Sequence, residues 1–304
     1  MSVFRKRETP VENIAFLAIC AGIDAVLSLV CALLSASALI LMLVIPLTSA
    51  VASFYCKAKY FPIYLVASAG VCLAISAWNI SNTLFYVIPS LLTGAAYGFG
   101  IKNRLTSSFV LFICSVLSFG LFYASMLLVK ALLEVDVRDS LLALVRLSDK
   151  EGAAIGFPLF IYGYSLAQMA IAHLFIFIQM QRFEPIEEII SFKWGSPILA
   201  ILSGGAASIL AFFLPPYGLL AFGFSVYWGV LCIVELVQEN RKISYLFLGI
   251  FAVAGLFLYA GLYRSAAPHG GLALLGSIAL GVGFAQLINL ILLRLKREDP
   301  KILP

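Results

Sequence analysis

Charge is scarce in this sequence. Asp, Glu, Lys and Arg make up 12% of its 304 residues, and histidine occurs only twice. Soluble domains carry about twice that charged fraction, so a solvated globular surface is excluded. Catalytic constellations are missing as well. A membrane enzyme needs clustered His, Cys or carboxylate groups, whereas His173 and His269 are expected near opposite faces of the membrane; no enzyme activity is expected. The six cysteines, Cys20, Cys31, Cys56, Cys72, Cys114 and Cys232, stand singly within or beside apolar runs. Without CxxC or ligand spacing they support neither a metal site nor a disulfide framework, and no cofactor is implied. No GxxxxGK followed by Ser or Thr is present, so the chain cannot energise transport by hydrolysing a nucleotide at a P-loop. Short alternating segments of about ten residues are also lacking, which rejects a transmembrane β-barrel.

What fills the sequence instead is apolar: 62% of the residues are hydrophobic, and the mean hydropathy is +1.06. Runs such as Leu105 to Leu133 and Ala153 to Met180 exceed the roughly 20 residues that a helix needs to cross a hydrocarbon core. These features predict an all-α fold, a polytopic transmembrane helical bundle in the cell membrane. Charge breaks and prolines place about ten spans, near 13–35, 37–56, 62–80, 84–100, 106–132, 153–180, 196–213, 218–237, 244–262 and 271–293. Eight spans is the alternative, because the division near Ser35 and Ser37 rests on length alone. Arg5, Lys6 and Arg7 before the first apolar run resemble a secretory signal, but no cleavage site stands out and a retained first span is expected.

The net charge of +5 sits at the membrane edges, where it sets topology, and nucleic acid is not an expected partner. With the N-terminus in the cytoplasm, fifteen of the twenty Lys and Arg residues fall inside and only Lys130, Arg138, Arg146, Lys150 and Arg264 fall outside. Both termini are therefore expected to be cytoplasmic. The outer connection Glu134 to Glu151 interleaves leucines and valines with charges, as a short amphipathic surface helix, a lid or, in preference to a lid, a solvated connector resting on neighbouring helices would. Arg182 to Trp194 is a second amphipathic linker. It separates an expected six-span bundle, residues 1–185, from a four-span extension with a cytoplasmic basic tail, residues 186–304.

Ionisable groups at membrane depth are costly and point to function. Asp24 lies about eleven residues into the first span, roughly 17 Å deep by helical rise, and His173 lies roughly 12 Å from the end of the sixth. At comparable depth they could form a proton relay or buried pair, if their helices adjoin. Glu235, near the end of the eighth span, reads as a snorkelling or locally paired carboxylate. Gln286 and Asn289, three apart in the last span, favour bonding to a neighbouring helix. Trp78, Asn79, Asn82, Tyr162, Tyr164 and Gln168 cluster toward the outer halves of the first six spans. Their aromatic faces and amides would suit a small-molecule ligand, while an interfacial aromatic belt accounts for Trp78 without one.

The stretch from Ile45 to Arg104 resembles the substrate-binding S components of energy-coupling factor transporters. It carries a hairpin, the polar turn WNISN, and a helix exiting through Pro89, Gly94, Gly98 and Gly100 to Lys102. Over nearly the full length the chain resembles the YybS-like family of bacterial membrane proteins, on VELVQENRKIS and LLRLKRED. The S-component resemblance implies a solute-binding subunit that borrows its ATPase. It also implies helix packing on a coupling subunit through small residues four apart in the first span, Ala18 with Gly22 and Ala21 with Ala25. Asp24 inside that stripe departs from the S-component pattern. A scaffold or regulatory protein acting through helix contacts is the alternative.

Overall fold

Lipid offers no hydrogen bonds to a backbone, so apolar runs of this length have to satisfy their peptide groups internally, as helices. The computed structural model describes residues 7–33, 44–144, 150–183, 193–238, 249 and 270–298. Among them the regular structure is helical throughout, with no strands. The helices are α1 (Pro10–Leu33), α2 (Ile45–Tyr55), α3 (Phe61–Ile75), α4 (Ile88–Lys102), α5 (Ser107–Leu133), α6 (Val137–Leu144), α7 (Lys150–Phe183), α8 (Gly195–Phe213), α9 (Pro215–Gln238) and α10 (Gly270–Glu298). A π-helical turn, Thr83–Val87, leads into α4.

Eight segments are long and apolar enough to cross a bilayer: α1, α3 to α5 and α7 to α10, with α3 counted from Ala58 and α4 from Thr83. The chain is a multi-pass membrane protein. Exposed Val11, Ile63, Val66, Leu127 and Phe213 present aliphatic and aromatic surface outward, while serines, threonines and an aspartate are buried. That inverts the soluble pattern and matches a hydrocarbon surround. The expected ninth span, 244–262, lies outside the described residues except for residue 249, and most of the linker Arg182 to Trp194 and His269 lie outside them too.

Contacts divide the chain into two compact units. The first holds Met1–Ser148 with Ile161–Ser191, and the second holds Asp149–Phe160 with Phe192–Pro304. The division near residue 191 lies a few residues beyond the expected boundary at 185, and residues 149–160 group with the second unit.

In the first unit, α1 begins at a reciprocal cap. Thr9 Oγ1 accepts the Glu12 amide at 3.2 Å and Glu12 Oε2 accepts the Thr9 amide at 3.3 Å, with Pro10 in the first helical position. Asn13, fully buried, donates through Nδ2 to the Thr9 carbonyl at 2.7 Å and accepts the Lys57 amide at 2.8 Å, which ties the start of α1 to the end of α2. Helix α1 packs on α2 and α3, α2 on α4, and α4 on α5. The α2–α4 contact is built on missing side chains. A Cβ on Gly94 would lie 2.2 Å from the Pro46 carbonyl oxygen, and one on Gly98 would lie 2.3 Å from that of Ala50. The glycines four apart on α4 thus face Ser49 and Ser53, four apart on α2. Lys102 Nζ donates to the Cys56 carbonyl, at the C-terminal end of α2 where carbonyls lack helical donors.

The second unit centres on a three-helix packing of α8, α9 and α10. Gly204 on α8 and Gly276 on α10 meet backbone to backbone, each Cβ position lying within 3 Å of the other's carbonyl oxygen. Buried Ala200, Ala207 and Ala211 and the Trp228 side chain fill the unit around this contact.

The connection after α5 turns at Glu134, which adopts the left-handed conformation with φ 57°. Asp136 then opens α6, accepting the Arg138 amide at 3.1 Å and Lys130 Nζ at 2.8 Å. The Lys130 hydrogen bond holds the Asp136 carboxyl below the usual carboxylate range. Helix α6 buries Val137 and Leu141 and exposes Arg138 and Asp139, so the described part of the connection carries a short amphipathic helix, one of the readings its pattern allows.

Candidate functional site

Beyond its capped first turn, helix α1 is apolar except on one line, where Asp24 and Ser28 follow one another at a spacing of four. Helix α3 repeats the spacing with Tyr64, Ser68, Cys72 and Ser76, all buried. Residues four apart share a helix face, so the two stripes meet where α1 packs on α3. Asp24 is wholly buried there and its carboxylate draws donors from two other helices. Its Oδ2 accepts Tyr64 Oη at 2.6 Å and Ser68 Oγ at 3.0 Å, both from α3, and its Oδ1 is bonded to Thr48 Oγ1 of α2. One turn further along, Thr83 of the π turn touches Ser28 Oγ at 3.5 Å and bonds Ser76, whose hydroxyl donates to the Cys72 carbonyl at 2.6 Å. Among the described residues no lysine, arginine or histidine interacts with Asp24, so its partners are hydroxyl groups alone.

A groove of about 130 Å³ runs along the same pair of helices, lined by Leu17, Ala18 and Ala21 on α1 and Ile63, Tyr64 and Ala67 on α3. Its walls are apolar, and it is smaller than the few hundred Å³ that enclose a drug-sized ligand. Tyr64 connects it to the buried carboxylate: the phenol that bonds Asp24 belongs to a side chain lining the groove.

Asp24 and His173, expected to meet if their helices adjoin, have different hydrogen-bond partners. Asp24 bonds Thr48, Tyr64 and Ser68, while His173 Nδ1, on α7, is hydrogen-bonded to Tyr97 of α4. Equal depth alone does not bring two side chains together, because the azimuth of each about its own helix must agree as well.

The six expected ligand residues are placed as follows. Trp78 is 63% exposed in the turn after α3, where an interfacial tryptophan belongs. Asn79, in the same turn, accepts Ser81 Oγ at 3.0 Å. Asn82 closes the short helical turn Ile80–Asn82. On α7, Tyr162 is buried with its ring 6.4 Å from that of Phe119, and Tyr164 stacks edge-on to Phe122 at 5.8 Å. Two residues apart on a helix, they point about 200° from each other. Gln168 is fully buried and its amide is used at both ends: Nε2 donates to Ser90 Oγ at 2.8 Å, and Oε1 accepts Ser118 Oγ at 3.1 Å. It joins α4, α5 and α7.

The small residues of α1 divide between two faces. Ala21 and Ala25 are buried in the unit, whereas Ala18 is exposed and a Cβ on Gly22 would meet nothing within 4 Å. The pairs lie roughly 60° apart around the helix, so a single stripe becomes one inward and one outward face.

In the second unit Glu235 is half-buried and paired across helices. Ser196 Oγ of α8 donates to it at 3.0 Å and Gln286 Nε2 of α10 at 3.0 Å, with Asn289 Nδ2 3.5 Å from Gln286 Oε1. Ser196 and Gln286 thus bond Glu235 from neighbouring helices, whereas the Asn289 contact is to Gln286 on its own helix. No group of three or more His, Cys, Asp or Glu side chains among the described residues could hold a metal ion.

No family model, curated protein or solved structure matches this chain. The geometry therefore has to carry the functional reading. Thr48, Tyr64 and Ser68 are the site residues that hydropathy and motif reading overlook. Their signal was present in part: Tyr64, Ser68, Cys72 and Ser76 recur every four residues in an otherwise apolar run. Thr48 carries no such mark, because apolar Val44 and Ala52 stand four residues to either side of it.

Proposed function

We propose that the chain is a solute-binding membrane subunit, related to the S components that its first part resembles and lacking an ATPase of its own. Solute binding is supported by Asp24, a fully buried carboxylate at membrane depth ringed by hydroxyls from two other helices; it does not support the S-component relationship, from whose pattern Asp24 departs. Helix packing alone needs small and apolar residues, and an acid kept inside a bundle marks a solute or ion path. The buried polar groups of the first unit extend the argument, since Gln168 with Ser90 and Ser118, and Tyr97 with His173, also lie between helices. In this reading both termini face the cytoplasm, the solute is held in the first unit, and a partner protein supplies the energy.

Native mass spectrometry of the protein released from its own membrane in mild detergent is the test. A small molecule retained by the wild type and lost from Asp24→Asn is the expected result. A stoichiometric protein partner with no small molecule would instead establish a scaffold. That second reading draws support from the outward face of α1, where Ala18 and Gly22 leave room for the close approach of another helix.

A further inference from the structure

We propose that the Asp24 carboxyl group is a proton-binding site, loaded at Oδ1, in which the Thr48 hydroxyl turns between two acceptors so that both states are fully hydrogen-bonded. The inference rests on a count of hydrogens and holds whether or not the first unit carries a solute. Thr48 Oγ1 has one hydrogen and two acceptors in reach, Asp24 Oδ1 and the Ile45 carbonyl at 2.8 Å. Tyr64 and Ser68 each have one hydrogen, and both are directed at Oδ2.

In the ionised state Thr48 donates to Oδ1, and the carboxylate accepts three hydrogen bonds, within its capacity of about four. The Ile45 carbonyl is not orphaned, because it lies inside α2 where a backbone amide can reach it. When a proton arrives from water, it bonds to Oδ1 and that O–H donates to Thr48 Oγ1. The Thr48 hydrogen swings to the Ile45 carbonyl. Oδ2 is then the carbonyl oxygen of a neutral acid, and its two lone pairs are already filled by Tyr64 and Ser68. Charge is balanced by the proton alone, and no heavy atom moves.

Three features separate this from a packing aspartate or a metal-ion site. A fixed pairing needs a single acceptor for the Thr48 hydrogen; Ser49 and Ser53 on the same helix also reach the carbonyl three residues back, and what sets Thr48 apart is that its second acceptor is the Asp24 carboxylate. An ion pair would hold the carboxylate permanently ionised, and no cationic side chain among the described residues acts on Asp24. Separations of 2.6 and 3.0 Å between oxygens are hydrogen-bond lengths, with a hydrogen and no cation between them. The titratable groups that face Asp24 are Cys20 from α1 itself and Tyr64 and Cys72 from α3, while α2 presents Thr48, which does not titrate.

The test is infrared difference spectroscopy on the full-length protein in lipid nanodiscs across a pH series. A protonated-carboxyl band should grow as pH falls, shift on exchange into heavy water and vanish in Asp24→Asn. In Thr48→Val, which keeps the shape and removes the hydroxyl, the same band should move in frequency because its hydrogen-bond acceptor is gone. A carboxyl band unchanged by Asp24→Asn, or no Asp24-dependent band at any pH where the protein stays folded, would overturn the proposal. So would an Asp24-dependent signal that answers to sodium at constant pH. Should Asp24→Asn fail to fold, the Thr48→Val comparison decides alone, and an unmoved band rejects the assignment.

Discussion

Two buried polar side chains illustrate how a single residue acquires its role from the groups beside it. Gln168 is a plausible ligand amide by composition, yet both of its ends are taken by Ser90 and Ser118. Gln168→Ala is therefore expected to lower stability, by roughly 1–3 kcal/mol because two buried hydroxyls lose their partner. A thermal midpoint in detergent that matches the wild type would refute that role. Tyr64→Phe removes the 2.6 Å donor from Asp24 Oδ2 and leaves Ser68 beside it. The loss should be roughly 1–3 kcal/mol. It should shrink in Asp24→Asn, where the carboxylate is gone, and a double-mutant cycle in chemical unfolding reads that coupling.

At the scale of the element, glycine has opposite consequences on α1 and α4. Gly98 faces the Ala50 carbonyl so closely that Gly98→Ala should separate α2 from α4, at a cost of roughly 1–3 kcal/mol. Gly22→Ala meets open space and should leave unfolding unchanged or raise it slightly, since alanine is the better helix former. Equal effects of the two substitutions on the unfolding midpoint would contradict the packing described. At the other end of the first unit, Asp136 caps α6 and is held ionised by Lys130. Its folded-state acidity is the stronger, so its contribution to α6 is complete above the ordinary aspartate range and fades as pH falls through the lowered folded value. Faster amide exchange across Val137–Leu144 in Asp136→Ala, and in the wild type at acid pH, is the measurement that checks it.

For the whole molecule the topology is open to direct chemistry. All six cysteines are buried, so the background of a thiol reagent should be low. A cysteine introduced at exposed Asp139 is expected to react with an impermeant reagent applied to intact cells, and one at exposed Lys193 to react only after the membrane is opened. The reverse pattern would invert the orientation inferred from the placing of lysine and arginine. Helix existence was legible at this scale because it depends on run length. α5 was expected over 106–132 and spans Ser107–Leu133, and α8 was expected over 196–213 and spans Gly195–Phe213. Side-chain meetings were less legible. Depth along the membrane normal follows from counting residues and sets Asp24 and His173 at comparable depth, but it fixes neither azimuth nor helix order, and the two side chains bond different partners.

The sequence by itself determined that this protein is a set of helices in lipid, because apolar run length and the cost of an unpaired peptide in hydrocarbon leave no other fold. It placed the helix ends only roughly: α1 was expected to start at 13 and begins at Pro10, where Thr9 and Glu12 cap each other, and the third span was expected to reach 80 whereas α3 ends at Ile75. Only the tertiary structure decided that Asp24 would be met by Thr48, Tyr64 and Ser68, that Gln168 would be consumed by two serines, and that Gly22 would look outward while Gly98 looks in. These depend on which helices adjoin and how each is rotated about its axis. In a membrane, where lipid and protein interior are equally apolar, hydropathy does not distinguish the two faces of a helix.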